Sequence, residues 1–80
     1  MVYIKEEVTT SNIYNVVGKN IQKFRKLRGY TGEELAELCN LSYGYIKNLE
    51  SQKVYATISI ETLKLIADKL EVKLGNFFEE

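Results

Sequence analysis

Bond-breaking chemistry has few means in these 80 residues: there is no histidine, one cysteine, no glycine-rich phosphate loop and no cluster of carboxylates suited to a cleft. An enzyme is therefore not expected, and neither a cofactor nor a metal is implied. Cys39 has no second cysteine for a disulfide and no histidine for a zinc site. Its place in an apolar pattern predicts a small buried hydrophobe. The side chains equipped for reversible hydrogen bonding gather between Tyr43 and Glu50. Lys47 brings an ammonium donor, Asn48 an amide that both donates and accepts, and Tyr43 a hydroxyl on an apolar ring. Such groups recognise a partner only when a rigid element holds them outward.

The elements that would do so are legible in Thr31 to Glu50, TGEELAELCNLSYGYIKNLE. Leu35 and Cys39 lie four apart on one helical face, with Ala36 beside them and Glu33, Glu34 and Glu37 mostly outward. Thr31 is an N-cap with Glu34 three residues on, the capping-box spacing. Asn40 is a side chain that tolerates the left-handed conformation ending a helix. Ser42 then caps a second helix, Tyr43 to about Glu50, with Ile46 and Leu49 inward. Upstream, Ile13, Val17, Ile21, Phe24 and Leu27 recur every three or four residues, predicting a helix from about Asn12 to Arg28 with these five facing the core. Its polar side carries Lys19, Lys23, Lys26 and Arg28, either a solvated basic face or a source of phosphate contacts, and Gly29 ends it. Downstream, Ser59 caps a helix with Ile60, Leu63, Ile66, Ala67 and Leu70 at helical spacing.

The two central helices resemble the helix-turn-helix repressors typified by Cro and lambda repressor, often called the XRE family. Thr31, Glu33, Glu34, Leu35, Ala36, Leu41, Ser42, Ile46, Leu49 and Glu50 fall on its pattern, and the resemblance spans residues 13–80. It implies an all-α, compact five-helix lambda-repressor-like domain over residues 12–80, with residues 1–11 as an N-terminal arm. It also implies a double-stranded DNA operator as partner and a homodimer as the binding form. Tyr43, Gly44, Lys47 and Asn48 are then the base-reading positions. Lys47 can donate to guanine O6 and N7, Asn48 can pair with adenine, and Tyr43 can meet a thymine methyl. About nine residues at 1.5 Å each give roughly 13 Å, comparable to a major groove about 12 Å wide. Backbone phosphates fall to Gly32, Glu33, Ser42, Tyr45, Lys53 and Tyr55, with Tyr45 equally suited to packing. Arg25 and Glu50 are implied to form a structural ion pair. Two departures stand out: Gly32 replaces a phosphate-contacting glutamine, and Asn40 replaces the turn glycine.

Formal net charge is zero, an objection to nucleic-acid binding that distribution partly answers. Residues 16–53 hold seven bases against four acids, whereas residues 54–80 hold three against five. A locally basic but neutral protein should bind random DNA weakly and depend on base contacts and paired subunits. The N-terminal MVYIKEEVTTS lacks the pattern of a secretory signal, and no run of about 18 apolar residues exists, so the expected place is the cytoplasm, away from membranes. Residues 1–11 are compatible with a frayed tail, a short strand or a DNA-reaching arm, ended by the break and cap of Thr9, Thr10, Ser11 and Asn12. At the other end Leu74, Phe77 and Phe78 are too apolar for a solvated tail, so at least one aromatic is expected in the core and the remainder at a dimer interface. A repressor is the simplest reading. A restriction-modification controller or antitoxin of the same fold stays open, as does a protein-interaction module that has lost DNA binding.

Overall fold

The computed structural model describes residues 3–51 and 56–80, with side chains from residue 13 onward. Four α-helices follow in order: α1 (Tyr3–Leu27), α2 (Gly32–Cys39), α3 (Tyr43–Glu50) and α4 (Ile60–Leu70), and a 3-10 helix (Leu74–Phe78) closes the described chain. The all-α class and the helical order agree with the expectation. The fifth element is a single 3-10 segment rather than an α-helix.

Helix starts are set by side-chain caps. Thr31 Oγ1 accepts the Glu34 N–H at 3.0 Å while Glu34 Oε1 accepts the Thr31 N–H at 2.8 Å, completing the capping box. Ser42 accepts from Tyr45 N–H and Ser59 from Thr62 N–H, each at 3.1 Å. The ends of α1, α2 and α4 share one left-handed device, whereas α3 ends at an extended Ser51. Gly29 (φ 81°), Asn40 (φ 56°) and Glu71 (φ 60°) each turn the chain back, and the following residue donates to a carbonyl five positions earlier: Tyr30 to Arg25, Leu41 to Ala36 and Val72 to Ala67. Asn40 thus performs the turn without a glycine.

The first helix departs from expectation at its start. It runs unbroken back to Tyr3, through the Thr9–Asn12 cluster expected to interrupt it and through most of the stretch assigned to an arm. Threonine, serine and asparagine cost only tenths of a kcal/mol each inside a helix, and neither glycine nor proline precedes Gly18 to stop it.

The core comprises Val17, Ile21, Leu35, Ala36, Cys39, Ile46, Leu49, Leu63, Ile66, Ala67, Leu70 and Phe77, drawn from every element. The ends of the predicted apolar stripes fall outside it. Ile13 is 43% exposed, Leu27 70% and Ile60 73%, because each sits in a terminal turn or at the edge of the globule. Arg28 takes an inward task instead: its Nε donates to Leu70 O at 2.7 Å and its Nη2 to Glu71 O at 3.0 Å, satisfying the carbonyl end of α4. Phe77 is fully buried and meets Phe24 edge-on at 6.0 Å between centroids, so it is unavailable to a dimer interface. Asn20, the one buried polar residue of the described side chains, donates through Nδ2 to Phe77 O and Glu79 O, both at 2.8 Å. That amide fastens the C-terminal segment to α1.

Candidate nucleic-acid interface

Helix α3 buries Ile46 and Leu49 and turns Tyr43, Gly44, Lys47 and Asn48 outward. Tyr43 is 46% exposed. The four positions implied for base reading therefore lie together on the solvent side of one short helix. Its two ends are held differently. At the start Ser42 caps it; at the finish Glu50 receives a two-pronged ion pair, Arg25 Nε to Oε2 at 2.7 Å and Nη2 to Oε1 at 2.8 Å. The third arm of the guanidinium, Nη1, donates to Tyr30 O at 2.8 Å. Both ionic side chains are about nine-tenths buried, and the hydrogen bonds to Glu50 outweigh burial in holding the Arg25 charge above its already high ordinary pKa. One side chain of α1 thus joins the end of α3 to the loop before α2.

Close approach of α1 to α3 depends on Gly18. A Cβ there would stand 2.0 Å from Leu49 O and 3.2 Å from Leu49 C, both main-chain atoms of α3. Sequence reasoning passed over this residue. The available signal was a glycine in the middle of an otherwise good helical pattern, which costs about 1 kcal/mol against alanine and calls for a packing reason.

The residues implied for phosphate contact separate into three groups. Gly32 and Glu33 open α2, where the first backbone N–H groups have no intrahelical acceptor, and Ser42 is exposed at the start of α3. Tyr45 has other business. It is half-buried, donates its hydroxyl to Thr57 O at 3.2 Å, and burial pushes its phenol up. That bond ties α3 to the segment preceding α4. Lys53 and Tyr55 lie outside the described residues. The expected interface residues also divide: Phe77 is in the core, Leu74 is half-buried against it, and Phe78 is 48% exposed.

Gln22, Arg25, Gly32, Tyr43, Ile46, Lys47, Glu50 and Ser51 line a shared groove of about 320 Å³ at this face. Lys19, Lys23 and Lys26 on α1 are exposed. Among the described residues, Glu50 is the one histidine, cysteine or acid that lines this groove, and it is paired with Arg25. The Cys39 thiol is buried in the core, where desolvation pushes it up and keeps it protonated, and among the described residues no group of histidine, cysteine or carboxylate side chains could hold a metal ion. Nor, among the described residues, is any helix long and apolar enough to cross a membrane.

Residues 21–77 match the helix-turn-helix family model. Over 64 residues the chain is 31% identical to the HTH-type transcriptional regulator SlrR of Bacillus subtilis (strain 168), a match covering 80% of this chain and 41% of that relative. The chain therefore spans about two fifths of the length of this curated relative. Among solved structures it resembles the hypothetical transcription factor NHTF from Neisseria, with a TM-score of 0.77 and 25% identity over 84% of this chain and 75% of that one. It also resembles SinR, described as the master regulator for biofilm formation, in complex with DNA: TM-score 0.72 and 27% identity, covering 79% of this chain and 98% of that one. A SinR–SinI complex gives TM-score 0.72 and 28% identity over 80% of this chain and 61% of that one. With the capped helix pair, the tight turn and the family match in agreement, the chain belongs to the XRE-type helix-turn-helix family that its central residues resemble.

Proposed function

We propose that this protein is a sequence-specific DNA-binding transcriptional regulator, most simply a repressor, that works in the cytoplasm as a homodimer with α3 in the major groove of each operator half-site. The observation that carries this reading is the outward placement of Tyr43, Gly44, Lys47 and Asn48 on a helix pinned at its far end by Arg25. A helix capped at its start and clamped at its end presents its outward edge without paying an ordering cost at binding. Similarity to SinR, whose structure was solved with DNA, and to the transcriptional regulator SlrR supports the same assignment.

In this mode the amides of Gly32 and Glu33 meet one phosphate at the start of α2, where the helix dipole favours an anion. The Ser42 hydroxyl, whose oxygen already accepts from Tyr45, has its proton left for another. Lys53 and Tyr55 supply further donors. Tyr45 does not, because its hydroxyl is engaged with Thr57. The dimer forms through the apolar face of Ile13, Ile60 and Phe78, all exposed, around a groove of about 260 Å³ that Tyr14, Val17, Ile58 and Leu63 complete. Pairing also answers the neutral net charge, since two weak basic faces on one duplex multiply through effective concentration.

Neutral charge is also what favours a second reading, a protein-interaction module of the same fold. Fluorescence anisotropy on a duplex selected from a random pool separates the two. A regulator gives saturable binding whose log affinity falls linearly with log salt, about 0.9 per phosphate contact, on sites with half-sites about one helical turn apart. Absence of saturable binding to any selected duplex would favour the interaction module.

A further inference from the structure

We infer that Gly32 and Tyr43 form a single recognition unit, in which the missing side chain at Gly32 is what seats the Tyr43 ring, and that this seating sets the base preference at the start of α3. The inference rests on the DNA-binding reading and couples two of its residues. Gly32 opens α2 and Tyr43 opens α3. An ideal Cβ on Gly32 would lie 2.9 Å from Tyr43 Cε1 and 3.5 Å from Cδ1, the first closer than real side chains tolerate. The glycine does not serve a backbone conformation that other residues avoid. Gly29 is the glycine of this chain with positive φ, and Gly32 sits in ordinary helical conformation after a capped start. Space is therefore what position 32 supplies. The ring leans on the start of α2, whereas a Cβ on neighbouring Gly44 would meet nothing within 4 Å. The same groove holds Lys47 beside Tyr43. A large side chain at 43 stands where a side chain at 32 would otherwise extend.

The test compares the parent chain, Gly32→Ala, Tyr43→Ala and the double variant, by selection from a random duplex pool, by affinity for the duplex the parent selects, and by NMR of the Tyr43 ring without DNA. Alanine retains the N–H at position 32, so any phosphate contact made by that amide is preserved. Gly32→Ala should shift the ring resonances, weaken binding to the parent's duplex roughly tenfold, and relax preference at one base pair per half-site. In the Tyr43→Ala background it should add no further loss. Losses that multiply in the double variant, or unchanged ring resonances and preference in Gly32→Ala, overturn the inference. A parent that binds no duplex overturns the regulator reading and the base-preference claim together, while the ring resonances still report whether the seating itself is real.

Discussion

Glu50→Ala is expected to cost about 3–5 kcal/mol of folding stability, as loss of one partner from a buried ion pair does. A domain this small holds only a few kcal/mol in total, so the variant should be largely unfolded at 25 °C. The cost arises at Arg25. With Glu50 gone, a guanidinium about nine-tenths buried keeps one of its three bonds, the one to Tyr30 O, and two donors lose the carboxylate that paired them. In the parent both side chains sit about nine-tenths buried at the wall of the groove, so water replaces the lost bonds only in part. The asymmetry of buried pairs gives a control: Arg25→Met combined with Glu50→Leu removes both charges at similar volume and should fall within about 1 kcal/mol of the parent. Urea unfolding followed by circular dichroism measures all three. A Glu50→Ala midpoint near the parent's would show the pair to be peripheral to the fold.

Gly18→Ala should be nearly as damaging, at about 3 kcal/mol by the same unfolding measurement, even though alanine gains roughly 1 kcal/mol in helix propensity. The added methyl would sit 2.0 Å from Leu49 O, and a carbonyl oxygen of the main chain cannot rotate aside as a side chain can. Helices α1 and α3 must separate, and separation opens voids around Val17, Ile21, Ile46 and Leu49. Gly44→Ala is the matched comparison, since nothing stands within 4 Å of its added carbon and it lies in a helix. It should be neutral or slightly stabilising. Equal behaviour of the two variants would mean that α1 and α3 do not approach as closely as their backbones indicate. Both predictions bear on function, because Arg25 and Gly18 both help set the position of α3 against α1.

What could be foreseen from the chain depended on the range of the interaction. Caps at Thr31, Ser42 and Ser59 and left-handed turns at Gly29 and Asn40 act within a few residues, so their chemistry is visible in a short string of letters. Inward Ile46 and Leu49 against outward Lys47 and Asn48 follow from period alone. Features set by a partner far along the chain were hidden. Asn20 reads as one more polar residue on α1 until the carbonyls of Phe77 and Glu79 arrive beside it, and Arg28 reads as one more base until α4 ends against it. The division of Phe77 from Phe78 has the same origin: two adjacent aromatics are equivalent as letters, and only the tight 3-10 turn decides which of them meets Phe24. Ile13, Leu27 and Ile60 kept the period but lay where the globule had ended. Tyr45 was open between packing and phosphate contact in the sequence, and its bond to Thr57 favours packing.

Mapping a selected duplex onto the protein by amide chemical-shift perturbation addresses the central claim most directly, because it asks which surface touches DNA rather than whether binding occurs. The largest changes should fall at Tyr43, Gly44, Lys47 and Asn48, with smaller ones at Gly32 and Glu33 and little at Glu61 or Asp68 on α4. Perturbations centred instead on Ile13, Ile60 and Phe78, with the outward edge of α3 silent at saturation, would contradict it.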